Sequence, residues 1–167
     1  MKKRAASVAP TIRRVSRRDA QSLIEFNRAM ALETEDKELL PRVVGAGVRS
    51  LLADRAAGFY LVAELGRIVV GSLMVTNEWS DWRNGRFWWI QSVYVRPEYR
   101  RQGIYRALYG HARDLAARDP RVCGFRLYVE EENGRAQRTY KSLGMRRTRY
   151  LVFEELKRGV RFLRNPK

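Results

Sequence analysis

The chain has a single cysteine, Cys123, and a single histidine, His111, in 167 residues. A lone cysteine excludes an internal disulfide framework and fits a reducing, cytoplasmic setting. One thiol and one imidazole are too few donors for a zinc site, so no metal is expected. No apolar run is long enough to cross a bilayer, which argues against membrane insertion. The basic start Met1-Lys2-Lys3-Arg4 is not followed by the apolar core of a signal peptide. Repeats, low-complexity tracts and Pro/Ser-rich linkers are also missing, so nothing divides the chain. One domain with a substantial core is expected over residues 1–167, its centre at about 11–155 between basic extensions.

Acidic residues are scarce. Eighteen Asp and Glu against 34 Lys and Arg leave a net charge of +16. Such a balance attracts nucleic acid, anionic membrane or the phosphates of a cofactor. The positive residues gather at Lys2 to Arg18, Arg96 to Arg106 and Arg146 to Lys167. The terminal clusters read as solvated tails and faces. No zinc-finger spacing or RNP-like aromatic signature accompanies them. Nucleic acid is therefore not the expected partner, and a basic nucleic-acid-binding module stands as the rival reading.

Periodicity and punctuation predict the elements. Thr11 to Val15 reads as a short strand, and Ser16-x-x-Asp19 as a capping box opening a helix to about Leu32. An acidic stretch, Glu33 to Asp36, precedes a second helix from Arg42 to Asp54. Phe59 to Leu65 and Ile68 to Val75 flank Gly66-Arg67 as a hairpin. Glu78 to Gly85 reads as an aromatic, polar loop, followed by a strand from Phe87 to Val95. A helix over Gly103 to Arg118, a strand over Val122 to Val129, a helix over Asn133 to Ser142 and a final strand over Arg149 to Glu154 complete the order. The tail after Glu155 has no partner in this scheme and, with the hairpin edges, leaves room for a homodimer.

The most informative stretch runs from Val95 to Leu108. An apolar strand ends at Pro97, crosses a basic elbow containing Gly103 and enters a helix. Such elbows aim successive backbone N–H groups at an anion, and the helix dipole adds positive charge there. Gly103 lets backbone approach a phosphate without a Cβ in the way. A diphosphate is the natural ligand, cradled by the N–H groups of Arg101, Gln102, Gly103, Ile104, Tyr105 and Arg106.

This elbow resembles the coenzyme A-binding motif [Q/R]-x-x-G-x-[G/A] of the GNAT superfamily of N-acetyltransferases. Here it reads Arg100-x-x-Gly103-x-Tyr105, with tyrosine in place of the small residue. The element order matches that superfamily over most of the chain. The resemblance implies a single-domain α/β (α+β) fold with a mixed, mostly antiparallel central sheet flanked by helices and splayed fourth and fifth strands. It implies acetyl-CoA as cofactor, held by Arg100 to Arg106 and by the main chain of Val93, Tyr94 and Val95 pairing with pantetheine like an added strand. Val93 and Val95 N–H groups would also polarise the thioester oxygen. The run Asn133-x-x-Ala136-x-x-x-Tyr140-x-x-x-Gly144-Met145 is similar to the family's second motif. It assigns Asn133 a cofactor contact and makes Tyr140 the acid that protonates the CoA sulfur. Without that context, Tyr140 would be a helix-face aromatic beside Ala136.

The resemblance thus implies an acyltransferase moving acetyl directly onto a primary amine, most simply of a small cationic acceptor, with a protein acceptor as a further candidate. A non-catalytic CoA-binding relative is the other alternative. No general base is evident. Leu127-Tyr128-Val129 has tyrosine where acetylators of protein N-termini often have glutamate, so deprotonation would run through water to a carboxylate from elsewhere. Acceptor candidates are Glu33, Glu35, Glu78, Trp79 and Asp81, since carboxylates beside indoles suit an ammonium group. Solvated loops and aromatic anchoring would equally explain these residues. His111 is read as a packing or surface residue. Cys123 is read as a small buried residue with no base to make it a nucleophile.

Overall fold

A computed structural model describes residues 9–164. The basic start at Met1 to Arg4 and the last three residues lie outside the described residues. Five strands form one sheet in the order β1-β2-β3-β4-β5. They are β1 (Thr11–Arg14), β2 (Gly58–Leu65), β3 (Ile68–Ser80), β4 (Gly85–Val95) and β5 (Val122–Arg126). Helices α1 (Ala20–Glu35) and α2 (Pro41–Ala53) follow β1, α3 (Ile104–Ala116) follows β4, and α4 (Gly134–Ser142) follows β5. Neighbours are antiparallel except β4 and β5, which run parallel, as a connection through α3 requires. The sheet is thus mixed and mostly antiparallel.

Strand alternation divides the core. Leu61 and Ala63 of β2 join Val70, Leu73, Val75, Trp88 and Ile90 against Ile104, Leu108, Tyr109 and Ala112 of α3. Their neighbours Tyr60 and Val62 turn to the other face, against Leu23 and Ile24 of α1 and Val48 of α2. The buried stripe of α3 at spacings of four, one and three is the helical counterpart of this period of two. Each buried Val, Leu or Ile among them contributes about 1.5–3 kcal/mol.

β3 and β4 extend further than the sequence suggests. Residues 78–80 are not loop but strand: Glu78 pairs with Phe87, Trp79 with Arg86 and Ser80 with Gly85. Only Asp81–Arg83 and Asn84, at φ 43°, make the turn. The wide cross-strand aromatics of β4 carry the ladder to its tip. β5, by contrast, stops at Arg126 rather than Val129. It pairs with β4 only opposite Arg86 to Trp89, after which the two strands part, matching the expected splay. Cys123 on β5 is exposed, not buried.

The expected strand over Arg149 to Glu154 does not form among the described residues, because the end of the chain is tied elsewhere. Leu40 N–H donates to Phe162 O at 2.7 Å and Arg164 N–H to Glu38 O at 2.8 Å. Leu39 and Leu163 form an isolated antiparallel bridge. The tail that lacked a partner therefore has one in the α1–α2 connection. The acidic stretch is also corrected, since Glu33 and Glu35 sit in the last turn of α1.

β1 is fixed to the start of α1 by charge. Arg13 clamps Asp19 through two bonds of 2.8 and 2.9 Å and reaches Glu64 on β2 at 2.8 Å. Ser16 N–H and Oγ–H also donate to Asp19, at 2.7 and 2.8 Å, so the predicted Ser16–Asp19 cap is present. The Arg13 guanidinium, outweighing burial and helped by Ser16, holds the Asp19 carboxyl down to about 2. Its ordinary value is 3.8, so this stability is complete above about pH 4 and is lost as pH falls towards 2. Asp19→Asn should therefore cost about 2 kcal/mol at pH 7. Urea unfolding of both proteins should show that gap shrinking at pH 2.

Candidate functional site

The end of β4 carries a bulge that re-aims its backbone. The β3–β4 register shifts between Ser72 and Met74, and opposite it Ser92 adopts φ 45°. Bulges of this kind recur beside binding sites. Beyond the bulge Arg96 N–H donates to Val70 O at 2.9 Å, towards β3. Alternation then turns the main-chain groups of Val95 and Val93 to the opposite edge, which β5 has already left. Val93 thus presents main chain to an open cleft, as does the N–H of Val95, whose carbonyl is held by Arg100 Nε, while the side chain of Tyr94 is buried towards α1.

The elbow follows directly. A turn at Pro97–Tyr99 leads to Arg100, then Arg101 at φ 65° and Gly103 at φ 79°, and α3 begins at Ile104. A non-glycine residue in the left-handed region is held there at a cost of about 1–3 kcal/mol. Alternating left-handed residues before a helix turn successive N–H groups into a concave nest for an anion. Among the described residues, no acceptor meets the N–H groups of Arg101, Gln102, Gly103, Ile104, Tyr105 or Arg106. These six donors are open among the described residues.

Arg100 takes a different part from the one its motif position implies. Its Nε donates to Val95 O at 2.9 Å and its terminal nitrogen meets Glu33 Oε2 at 2.5 Å. It is thus tied to β4 and α1 within the protein. Tyr94 O–H donates to the other oxygen of Glu33 at 2.7 Å. Burial alone would raise the Glu33 carboxyl, but Tyr94 and Arg100 together hold it below its usual range. Glu33 is therefore a fixed structural anion and a weak base.

Tyr105 points inward. Its ring stacks on Tyr109 at 6.0 Å and 16° and meets the Tyr140 ring edge-on at 5.6 Å and 70°. Its hydroxyl is buried without a partner among the described residues, and burial pushes its ionisation far above the ordinary tyrosine range. The bulky residue in the small-residue place leaves the anion side of the elbow clear. Asn133 caps α4, its Oδ1 accepting Ala136 N–H at 3.0 Å. At the other end Met145 N–H donates to Tyr140 O at 3.1 Å, while Leu143 and Met145 pack on the core. These two anchors place Tyr140 beside the first turn of α3. Burial raises its phenol above the usual value, so it stays protonated at neutral pH.

The five acceptor candidates do not converge. Glu33 is bound at Tyr94, whereas Glu78 pairs opposite Phe87, seven residues or about 23 Å away along β4. Glu78 bridges Arg126 and the indole N–H of Trp89. Glu35 pairs with Lys37 at 2.5 Å, and Asp81 accepts Trp82 N–H at 2.8 Å to close the β3–β4 turn. Trp79 is exposed, as is Trp82. Sequence reasoning missed the Glu33–Arg100–Tyr94 knot and the Ser92 bulge. An acidic residue 67 positions before its arginine gives no local signal, and serine is no marker of a positive φ.

Comparison with known proteins gives these features a context. Residues 21–145 match the Acetyltransferase (GNAT) family. Thialysine N-epsilon-acetyltransferase of Bos taurus is 32% identical over 145 residues, covering 80% of this chain and 82% of that protein. The crystal structure of a possible acetyltransferase from Clostridium difficile 630 matches with a TM-score of 0.83 at 43% identity, over 90% of this chain and 99% of that one. AAC(6')-Iy, in complex with the bisubstrate analogue CoA-S-monomethyl-acetylneamine, shares the fold at a TM-score of 0.71 and 13% identity, over 90% and 99% of the two chains.

The elbow makes its own prediction. A Cβ on Gly103 meets nothing within 4 Å, so substitution there strains backbone without a clash. Gly103→Val should lower the thermal midpoint by the equivalent of about 1–2 kcal/mol. It should also weaken inorganic pyrophosphate binding, measured by calorimetry, several-fold.

Proposed function

The chain belongs to the acetyltransferase (GNAT) family, and from that premise we propose that it transfers acetyl from acetyl-CoA directly to a primary amine of a small cationic acceptor. One observation carries the reading: six open N–H groups at the start of α3 lie on the same helix end that Tyr105 joins to Tyr140. An anion cradle and a protonated phenol are thereby offered to two ends of one ligand.

The residues present fit acetyl-CoA. The orphaned donors at Arg101 to Arg106 suit a diphosphate, and Gly103 leaves open space above the backbone. The open edge at Val93 and Val95 suits the pantetheine amides. Acetyl-CoA, when bound, supplies the activated acyl group and a thiolate leaving group. Val93 N–H is the donor that would polarise the acyl oxygen. Tyr140 holds a proton on its hydroxyl, kept there by burial, for the departing sulfur. Asn133 fixes the start of α4 and so the distance from the cradle to that hydroxyl. Tyr105 positions Tyr140 by ring contact.

Glu33 does not serve as the base, because its carboxylate is engaged by Arg100 and Tyr94. The amine proton would leave through water, so the rate should climb with pH as the acceptor amine deprotonates. The cationic acceptor class is supported by a relative named for acetylation at an ε-nitrogen.

Thiol release measured against a panel of amines tests the proposal. At least one small amine should give turnover with acetyl-CoA. Tyr140→Phe should lower kcat about 100-fold, with the KM for acetyl-CoA little changed. An unchanged kcat would remove Tyr140 from the acid role. Absence of both turnover and thermal stabilisation by acetyl-CoA would overturn the reading as a whole.

A further inference from the structure

The two faces of the fork between β4 and β5 are chemically different. The anion cradle and Tyr140 stand on the α3 side, where Tyr105 packs on the core and meets the Tyr140 ring. An amine therefore comes to the fork from the other face. Trp88 and Ile90 of β4 belong to the core under α3, and Phe125 and Leu127 pack against it. Alternation then turns Trp89 and Arg126 to the opposite face. These two residues are partners in the last pair of the parallel ladder, at the point where the strands part. Tyr128 follows on the same side, 63% exposed, its ring 5.7 Å from that of Trp89 and tilted by 50°.

The guanidinium of Arg126 is fixed in place within the protein. Its Nη1 donates to Glu78, and the group lies 4.0 Å from the Phe87 ring centre. Its Nε and Nη2, the two donors of one edge, meet no acceptor among the described residues. Such an edge takes a carboxylate through two parallel hydrogen bonds. With 34% of the side chain exposed, the edge is reachable yet partly screened from water. Glu78 makes no matching offer to a cation. Each of its oxygens is already met, one by Arg126 and the other by the indole N–H of Trp89. The strip thus presents spare donors beside a satisfied carboxylate, in a chain whose charge of +16 draws anions.

We propose that Arg126 determines acceptor specificity by binding a carboxylate, so that the acceptor is an amine carrying a carboxylate at its far end. This rests on the acetyl-transfer reading for the use of the fork and deepens it by naming the substrate class. The acceptor is still a cation at its reacting end, where the ammonium loses its proton before attack. Its carboxylate lies on the free edge of Arg126, and its apolar spacer crosses the rings of Trp89 and Tyr128. Register limits the length of that spacer. Trp89 and Val93 are four residues, or about 13 Å, apart along β4. At about 1.2 Å per bond, the two ends of the acceptor stand at most roughly ten bonds apart. A plain diamine suits the strip less well. It leaves the edge of Arg126 unmet and brings a second positive charge beside it.

Calorimetry on the full chain decides the matter without any turnover. The probes are 4-aminobutanoate, 6-aminohexanoate and 8-aminooctanoate, each against its methyl ester, which keeps the amine and removes the negative charge. The two longer acids should bind at least tenfold more tightly than their esters, with the smallest preference for the shortest acid. Arg126→Gln, with native circular dichroism, should bring the acid-to-ester ratio to about one. Arg126→Lys keeps the charge without the planar edge and should retain only part of the preference. Equal binding of acid and ester, or no binding of either, overturns the carboxylate site. A preference that survives Arg126→Gln overturns it too. The ester comparison needs no variant, so it holds even where a substitution unfolds β5. Thiol release judges acetyl transfer separately. Esters turned over as fast as acids would leave that activity standing and remove only the role of Arg126. Acid-selective binding with no turnover of any amine would keep Arg126 its ligand and count against acetyl transfer.

Discussion

The side chain of Arg100 ties together the parts on which the site depends. Its Nε holds Val95 O, the last outward-facing carbonyl of β4, and its other end is neutralised by Glu33 of α1. The guanidinium lies 5.4 Å from the Tyr94 ring, whose hydroxyl donates to the same Glu33. Helix, strand and elbow are thus joined at one cation. The elbow needs this, because Ser92 and Arg101 on either side occupy left-handed backbone that sterics disfavour. Such conformations persist only where their surroundings over-determine them. The knot has a chemical consequence too: with Val95 O already occupied, the donors of the β4 edge dominate what a ligand meets there.

Tyr105 shows how a departure from a family pattern can be absorbed. What the elbow requires at that position is a backbone N–H, and any residue but proline supplies one. The side chain lies on the opposite side of the helix turn, stacked on Tyr109 and against Tyr140. Its buried hydroxyl has no partner among the described residues, a loss of about 1–3 kcal/mol. Ring packing of about 0.5–1.5 kcal/mol per pair and the burial of a large apolar surface offset it. The ring is therefore retained for shape: it fills the space between α3 and α4 and fixes the face that Tyr140 presents.

The sequence made most of this architecture legible, and the exceptions share a cause. Gly66-Arg67, Pro97 and the Ser16–Asp19 cap are local chemistry, and each marks a boundary close to where the structure has it. Gly103 adopts left-handed backbone just before α3. What failed was long-range. Glu78 and Trp79 look like loop residues until Phe87 and Arg86 are seen across from them. Tyr150 to Phe153 look like a strand, yet strand propensity needs a partner edge to become a strand. The candidate site divides in the same way. The cradle and Tyr140 depend on residues near in sequence, whereas the fates of Glu33 and Glu78 were set by arginines 67 and 48 positions away.

Those distant arginines also change what the charge of +16 means. Of the 34 basic residues, 28 are arginine and only six lysine. Arginine is favoured over lysine wherever a planar, bidentate donor is used, at ion pairs and aromatic faces as well as at phosphates. Planar guanidinium groups are needed where a cation must bridge several acceptors or lie on a ring. Arg13 joins Asp19 and Glu64; Arg126 meets Glu78 and sits 4.0 Å from the Phe87 ring centre. Arg14 covers Phe59 at 4.1 Å, and Arg96 lies over Phe26 at 5.3 Å. These four arginines act as mortar between strands and helices. The anion-attracting remainder includes the exposed Arg101 and Arg106 at the elbow, where open N–H groups give it a specific place to act. Each ion pair removes one charge of each sign, so the excess of base over acid remains, and what the structure adds is a use for particular arginines beside a set of open N–H groups at the elbow.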